Sequence, residues 1–290
     1  VAKDIWRDWD REKLEREYSP SSCIDDIKVY IKMYNELSAK GREACAKNLL
    51  ADVRYGPEER SVMDVFVPDG DGPFPVHVFI HGGYWQMLSK LESSFAAPNF
   101  IDQDIIFIAL DYTLAPEATM PEIIEQTRRG LISILKTAHN FKGDPGNVSI
   151  SGSSAGGHLA AEMLSTDWPA WGFDSCPLKA ALLVSGVFDV RPLVHTYVND
   201  PLGLDEPTAE ACSPMFHLPE HSCPILVTYG ENETAEFKRQ SEDYFRAMLA
   251  KGASGECFEL PVVNHFDIVM ELNRPDSLLF RKLEALIRSE

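Results

Sequence analysis

The chain has 290 residues, 44% of them hydrophobic and 25% charged, an ordinary globular composition with enough apolar material for a sizeable core. Its formal net charge of -18 argues against nucleic acid or an anionic membrane as the main partner, because so acidic a surface repels both. Six cysteines, Cys23, Cys45, Cys176, Cys212, Cys223 and Cys257, are scattered without C-x-x-C spacing, which suggests neither a zinc site nor a disulfide framework and fits reduced thiols in the cytoplasm.

Val1-Ala2-Lys3-Asp4-Ile5-Trp6 opens a charged helical pattern rather than an apolar secretory core, and no apolar run approaches membrane-spanning length. A soluble cytoplasmic protein is expected. Periodicity predicts helices from about residue 4 to 40, with Trp6, Trp9, Leu14 and Tyr18 near one face, a break at Ser19-Pro20-Ser21, and Ile24, Ile27, Tyr30, Ile31, Tyr34 and Leu37 continuing the stripe. Residues 48–55 and 61–67 flank Gly56-Pro57 as a β-hairpin, and 75–80 is a nearly continuous apolar strand. Helices and strands then alternate: helix 92–100, strand 104–110, helix 121–138, strand 148–151, a helix to about 165, strand 180–185, strand 224–229, helix 233–251, strand 256–260 and a final helix pair to 287. An antiparallel opening followed by βα repeats predicts a mostly parallel central sheet with helices on both faces. We read residues 1–290 as a single domain, with 1–45 as an N-terminal helical cover and 187–221, rich in proline and loop residues, as an irregular cap-like insertion over the carboxyl ends of the strands.

The stretch Gly152-Ser153-Ser154-Ala155-Gly156 matches G-x-S-x-G, entered from Asn147-Val148-Ser149-Ile150 and left through the helix former Leu159-Ala160-Ala161-Glu162-Met163-Leu164. That strand, sharp turn and helix is the context that gives the motif chemical meaning: Ser154 stands exposed above the sheet, and the Ala155 amide at the helix N-terminus points at an oxygen bound beside it. A bland glycine-rich turn is the alternative. What decides is whether a base and an orienting acid follow, because a serine hydroxyl is a poor nucleophile alone.

In the α/β-hydrolase chain order the acid follows the serine and the histidine comes last. His265, the last of eight histidines, lies just after a predicted strand, where a loop can aim it over the sheet. For the acid, Glu231 and Glu233 compete at the end of the preceding strand, and Glu233 is chosen because Glu231 sits so close to the strand that its side chain faces away. Glu233 could also serve only the helix dipole. Asp189 is a weaker candidate and reads as a loop cap. Gly82 and Gly83 follow the apolar strand in His81-Gly82-Gly83-Tyr84-Trp85, where their amides join that of Ala155 as an oxyanion hole. His81 reads as structural. Tyr84 and Trp85 are either packing or, for at least one, a wall for a flat substrate. His158 reads as packing, and Pro219 between His217 and His221 argues against a metal-binding helix. Neither G-x-G-x-x-G after a strand nor G-x-x-x-x-G-K occurs, so no cofactor is implied.

The loop His81-Gly82-Gly83-Tyr84-Trp85-Gln86, taken with Gly152-Ser153-Ser154-Ala155-Gly156-Gly157-His158-Leu159, resembles α/β-hydrolases of the hormone-sensitive-lipase-like group, especially the kynurenine formamidases (arylformamidases), whose loop reads H-G-G-x-W. Asp111-Tyr112-Thr113-Leu114-Ala115-Pro116-Glu117, Asn264-His265-Phe266-Asp267 and Glu236-Phe237-Lys238-Arg239-Gln240-Ser241 are similar to further runs of that family, so the resemblance spans 52–271. It implies an α/β-hydrolase fold, Ser154, His265 and Glu233 as triad, Gly82, Gly83 and Ala155 as oxyanion hole, and hydrolysis of N-formylkynurenine to kynurenine and formate. Glu233 departs from the aspartate usual in the animal enzymes, and Ser153 precedes the nucleophile; both leave room for a relative acting on another amide or ester. A non-catalytic binding protein on this scaffold is the remote alternative. The expected partner is a small-molecule substrate, with neither nucleic acid nor membrane, and a homodimer remains open.

Overall fold

A computed structural model describes residues 5–289, so the predicted helix start at Asp4 lies outside the described residues. Two helices, α1 (Arg11–Glu17) and α2 (Ile27–Ala44), precede the strands β1 (Leu49–Arg54), β2 (Val62–Phe66) and β3 (Phe74–Ile80). Then follow α3 (Ala97–Asp102), β4 (Ile106–Leu110), α4 (Met120–Thr137), β5 (Gly143–Ser153), α5 (Ala155–Leu164) and β6 (Leu178–Val184). Two short helices, α6 (Asn199–Leu202) and α7 (Glu206–Ala211), lead to β7 (Ile225–Asn232), α8 (Ala235–Ala250), β8 (Gly255–Asn264) and α9 (Leu278–Ile287). The eight strands form one sheet in the order β1-β2-β4-β3-β5-β6-β7-β8, with β2 antiparallel to both its neighbours and every pairing from β4 to β8 parallel. This is the α/β-hydrolase fold.

A parallel sheet covered on both sides demands apolar residues on both faces of each strand, and the period of two sorts them into two cores. Val76, Val78 and Ile80 of β3, Ile106, Ile108 and Leu110 of β4, and Ala181 and Leu183 of β6 pack on one face with residues of α1, α4, α5 and α8. The intervening Phe79, Phe107, Ala109, Leu182 and Val184 pack on the other with α2, α3 and α9. His77 breaks the apolar pattern but satisfies its ring nitrogens across the β3–β5 pairing, 2.9 Å from Ser149 Oγ and 2.7 Å from Ser151 Oγ, and stacks on Phe100 with centroids 4.7 Å apart. Complete burial pushes its pKa down to about 3, so it stays neutral.

Several boundaries differ from expectation for local reasons. The helix expected over 92–100 divides into a 3-10 turn, Lys90–Glu92, and α3, because Ser93 and Ser94 donate their hydroxyls back to the Ser89 and Lys90 carbonyls and Pro98 belongs in the first turn of a new helix. α1 begins only at Arg11, where the Asp10 carboxylate accepts from the Lys13 amide, after a small antiparallel bridge between Trp6 and Trp9. The first member of the final helix pair is a 3-10 segment, Ile268–Asn273.

Candidate active site

Ser154 sits between the last residue of β5 and the first of α5 with φ 57° and ψ -118°, a left-handed conformation that strains a non-glycine residue. The strain is held by its surroundings. The Ser154 amide donates to the Val184 carbonyl at 2.8 Å, and its carbonyl accepts from the His158 amide at 3.1 Å. The flanking glycines permit the close packing this requires: a Cβ on Gly152 would lie 2.0 Å from the Gly156 carbonyl oxygen, and one on Gly156 would lie 2.0 Å from the Ile80 carbonyl oxygen. The turn is therefore seated on the carboxyl end of β3, and Ser154 faces a cavity of about 230 Å³.

His265 follows the last residue of β8 and lines the same cavity. Its Nδ1 lies 2.8 Å from Glu233 Oε2, and both side chains are almost wholly buried. Glu233 is fixed in turn through its other oxygen, which accepts from the Gly230 amide and the Ser185 hydroxyl, each at 2.6 Å. With Nδ1 so engaged, Nε2 is the nitrogen left for the cavity. Phe237 sets its ring nearly edge-on to the imidazole, centroids 4.6 Å apart, which limits the ring's rotation. Among the described residues no hydrogen bond joins the Ser154 hydroxyl to His265; contacts of this type commonly tighten around the substrate. Glu231, the competing carboxylate, is exposed and accepts from the Val262 amide, while Asp189 caps its own loop by accepting from the Arg191 amide and guanidinium.

The loop after β3 lies alongside the serine, since a Cβ on Gly82 would be 3.2 Å from Ser154 Cβ. The amides of Gly82, Gly83 and Ala155 have no acceptor among the described residues; Gly82 and Gly83 line the cavity with Ser154, and Ala155 follows it in the chain. His81 anchors this loop from below. Its Nδ1 lies 2.9 Å from the Gly82 carbonyl, its Nε2 3.3 Å from Asp111 Oδ1, and Tyr112 stacks on its ring at 4.2 Å. Burial pushes the Asp111 carboxyl up, but the His81 contact and the Arg60 guanidinium outweigh it and hold the group below the ordinary range.

The chain is 34% identical to the kynurenine formamidase of Danio rerio over 97% of its own length and 98% of the relative's. It belongs to the kynurenine formamidase family. Residues 63–170 of this family member match the BD-FAE family model, a stretch that holds the loop after β3 and the Ser154 turn. In structure it is similar to a candidate thioesterase from Silicibacter sp. TM1040, with a TM-score of 0.82 and 26% identity over 94% of this chain and 99% of that one. It shares its fold with the Pyrobaculum calidifontis esterase, at a TM-score of 0.67 and 18% identity over 96% of this chain and 94% of that one.

Within this formamidase-family chain, one expected pocket residue is misplaced. Trp85 is completely buried, lies outside the cavity lining, and meets His158 nearly perpendicularly at 4.9 Å, so it is core. Tyr84 and Trp85 have φ of 51° and 59°, two successive left-handed residues that turn the chain and send the indole under the loop. Tyr84 does line the cavity, and its hydroxyl donates to the Tyr18 carbonyl. His158 is buried and bonds the Cys212 carbonyl at 2.8 Å; desolvation lowers its pKa. His217 pairs with Glu162, and among the described residues no three His, Cys, Asp or Glu side chains gather in a way that could hold a metal.

Most of the cavity wall comes from residues whose role no local motif announces. Ile27, Ile31 and Tyr34 of α2 form one side, Phe95 and Phe266 contribute aromatic surface, and Tyr197 is the part of 187–221 that reaches the cavity. The i, i+4, i+7 spacing on α2 was a visible signal of an apolar face, but not of what that face covers. The Glu236-Phe237-Lys238-Arg239-Gln240-Ser241 run now has a structural reason. Tyr18 donates to Glu236 at 2.8 Å, Gln240 donates to the Tyr18 hydroxyl at 2.7 Å, and the Gln240 carbonyl accepts from the Phe188 and Asp189 amides at 2.6 and 2.8 Å. That network ties α8, the loop after β6 and the end of α1 together beside Tyr84.

Proposed function

We propose that this hydrolase cleaves N-formylkynurenine to kynurenine and formate. The observation carrying the proposal is the convergence, in one cavity of a chain aligned end to end with a kynurenine formamidase, of Ser154, a His265 held by Glu233, and the free amides of Gly82 and Gly83, with that of Ala155 next to Ser154 in the chain. Ser154 Oγ attacks the formyl carbon as His265 Nε2 takes its proton, and the amides of Gly82, Gly83 and Ala155 stabilise the oxyanion. His265 then protonates the departing arylamine, leaving a formyl ester on Ser154. Water deprotonated by His265 attacks that ester, formate leaves, and the proton returns to Ser154. Glu233 fixes the imidazole tautomer throughout. A largely apolar cavity with aromatic walls suits the aryl leaving group.

No helix among the described residues is long and apolar enough to cross a membrane. We place the enzyme in the cytoplasm, in keeping with six free cysteines, and cell fractionation with an antibody to the chain checks this.

The decisive experiment compares turnover of N-formylkynurenine with that of p-nitrophenyl acetate and butyrate. Formamide hydrolysis at enzymatic rates, lost by roughly a thousandfold or more in Ser154→Ala with unchanged circular dichroism, is the expected outcome. Ester turnover with negligible formamide turnover would assign the chain to a different small ester or amide. Failure of the folded protein to react with an organophosphonate probe would instead indicate a binding protein.

A further inference from the structure

Among the described residues, the cavity above Ser154 is lined by one formally charged side chain besides its histidines, Glu92, and by no lysine or arginine. Glu92 closes the 3-10 turn Lys90–Glu92 in a Ser89-Lys90-Leu91-Glu92 arrangement: Ser89 accepts from the Leu91 amide and donates its hydroxyl to Glu92 Oε2 at 2.6 Å. Such a turn is a sufficient structural reason for a glutamate here. It occupies only one carboxylate oxygen, however, and among the described residues Glu92 has no ion-pair partner. Held in one orientation and half-buried, it is a preorganised anion at the cavity's edge.

A second, more open groove shares Ile31, Met87, Leu88 and Glu92 with the cavity, so the two adjoin at Glu92. Its other charged lining residue is Arg60. One terminal nitrogen of Arg60 bonds Asp111 Oδ1 at 2.6 Å and the Leu88 carbonyl at 2.7 Å, which fixes the guanidinium while its remaining N–H groups have no partner among the described residues. A cation and an anion thus line one groove without pairing with each other. A ligand group bearing both charges would meet a partner for each in that groove.

Building on the formamidase reading, we infer that Glu92 and Arg60 form a receptor for the α-amino-acid head of the substrate, Glu92 taking the ammonium and Arg60 the carboxylate while the aryl formamide occupies the cavity. The two residues set specificity and take no part in bond breaking. An arylformamide bearing an α-ammonium is favoured, and one bearing only an anion is disfavoured by Glu92.

The test measures kcat and KM of wild type and Glu92→Gln on N-formyl-L-kynurenine, its analogue lacking the α-amino group, and formanilide. Wild type should prefer N-formylkynurenine over the deaminated analogue at least tenfold. Glu92→Gln should erase that preference through KM, losing about tenfold more kcat/KM on N-formylkynurenine than on either comparison substrate. For Arg60→Gln the readout is the ratio between N-formylkynurenine and its decarboxylated analogue, with Tm as a check on the fold because Arg60 also braces Asp111; a falling ratio supports the assignment. A wild-type enzyme that hydrolyses formanilide without preferring the ammonium, or a Glu92→Gln variant weakened equally on all three, overturns the receptor alone. If wild type cleaves esters but no formamide, the formamidase reading fails, and inhibition of ester hydrolysis by kynurenine then decides the receptor: a Ki about tenfold weaker in Glu92→Gln supports it, and an unchanged Ki overturns it.

Discussion

Ser185 donates its hydroxyl to Glu233 at 2.6 Å from a left-handed backbone position, φ 48°, immediately after β6. The carboxylate that orients His265 therefore has its own orienting group, supplied by a neighbouring strand end. A hydrogen bond to a charged group contributes about 1.5–3 kcal/mol. Ser185→Ala leaves the Gly230 amide as the remaining support, so kcat on N-formylkynurenine should fall about tenfold while KM changes little. Steady-state kinetics read this directly, and a variant with wild-type kcat would show that the Gly230 amide suffices. Trp85 teaches the opposite lesson at the same scale. Its place in the sequence, one residue from Tyr84, suggested a substrate wall, yet two left-handed residues were enough to redirect it into the core.

Between elements, β3 and β5 are joined by more than their backbone ladder. His77 projects from β3 between two serines of β5 and against Phe100 of α3, so it couples the two strands that carry the Gly82-Gly83 loop and Ser154 at their carboxyl ends. Its folded-state pKa, pushed down by burial to about 3, lies below the unfolded value of about 6.5. Between those limits the unfolded chain binds a proton that the folded one excludes. The stability associated with a neutral His77 is thus fully present above about pH 6.5 and is lost as pH falls toward about 3. One such proton corresponds to a slope of up to about 1.4 kcal/mol per pH unit. Urea unfolding of His77→Asn between pH 7 and 4 should show a slope shallower than wild type by up to that amount; an identical slope would mean that His77 is protonated with the fold intact.

Across the whole molecule, the excess of acidic side chains sets the surface potential. A net charge of -18 on one compact chain is self-repulsive, and the many local ion pairs on the helices, such as Arg11–Glu15 and Arg288–Glu284, are exposed pairs of small individual worth. Raising salt from about 0.01 M to about 0.15 M shortens the Debye length from about 30 Å to about 8 Å. Screening of the net repulsion should outweigh the weakening of those pairs and raise Tm. A Tm that falls with added salt would show that the surface pairs dominate.

The order of strands and helices, the Ser154 turn, His265 and Glu233 were legible in the chain because each is written in local terms: a period of two or 3.6, small residues where the backbone must turn tightly, and a fixed order of motifs along a wound sheet. The contacts that hold these side chains in place were not legible. Ser185 is 48 residues from Glu233, and Tyr18 is 218 residues from Glu236, so nothing local marks either pair as neighbours. Likewise the stripe Ile27, Ile31 and Tyr34 announced an apolar face, but only packing decided that it would wall the cavity beside the loop after β3. Sequence alone determined which groups could do chemistry, because backbone preference and hydrophobic period act over a few residues. Tertiary structure decided which groups would restrain them and which side chains wall the cavity, because those contacts arise only when distant segments are buried against one another.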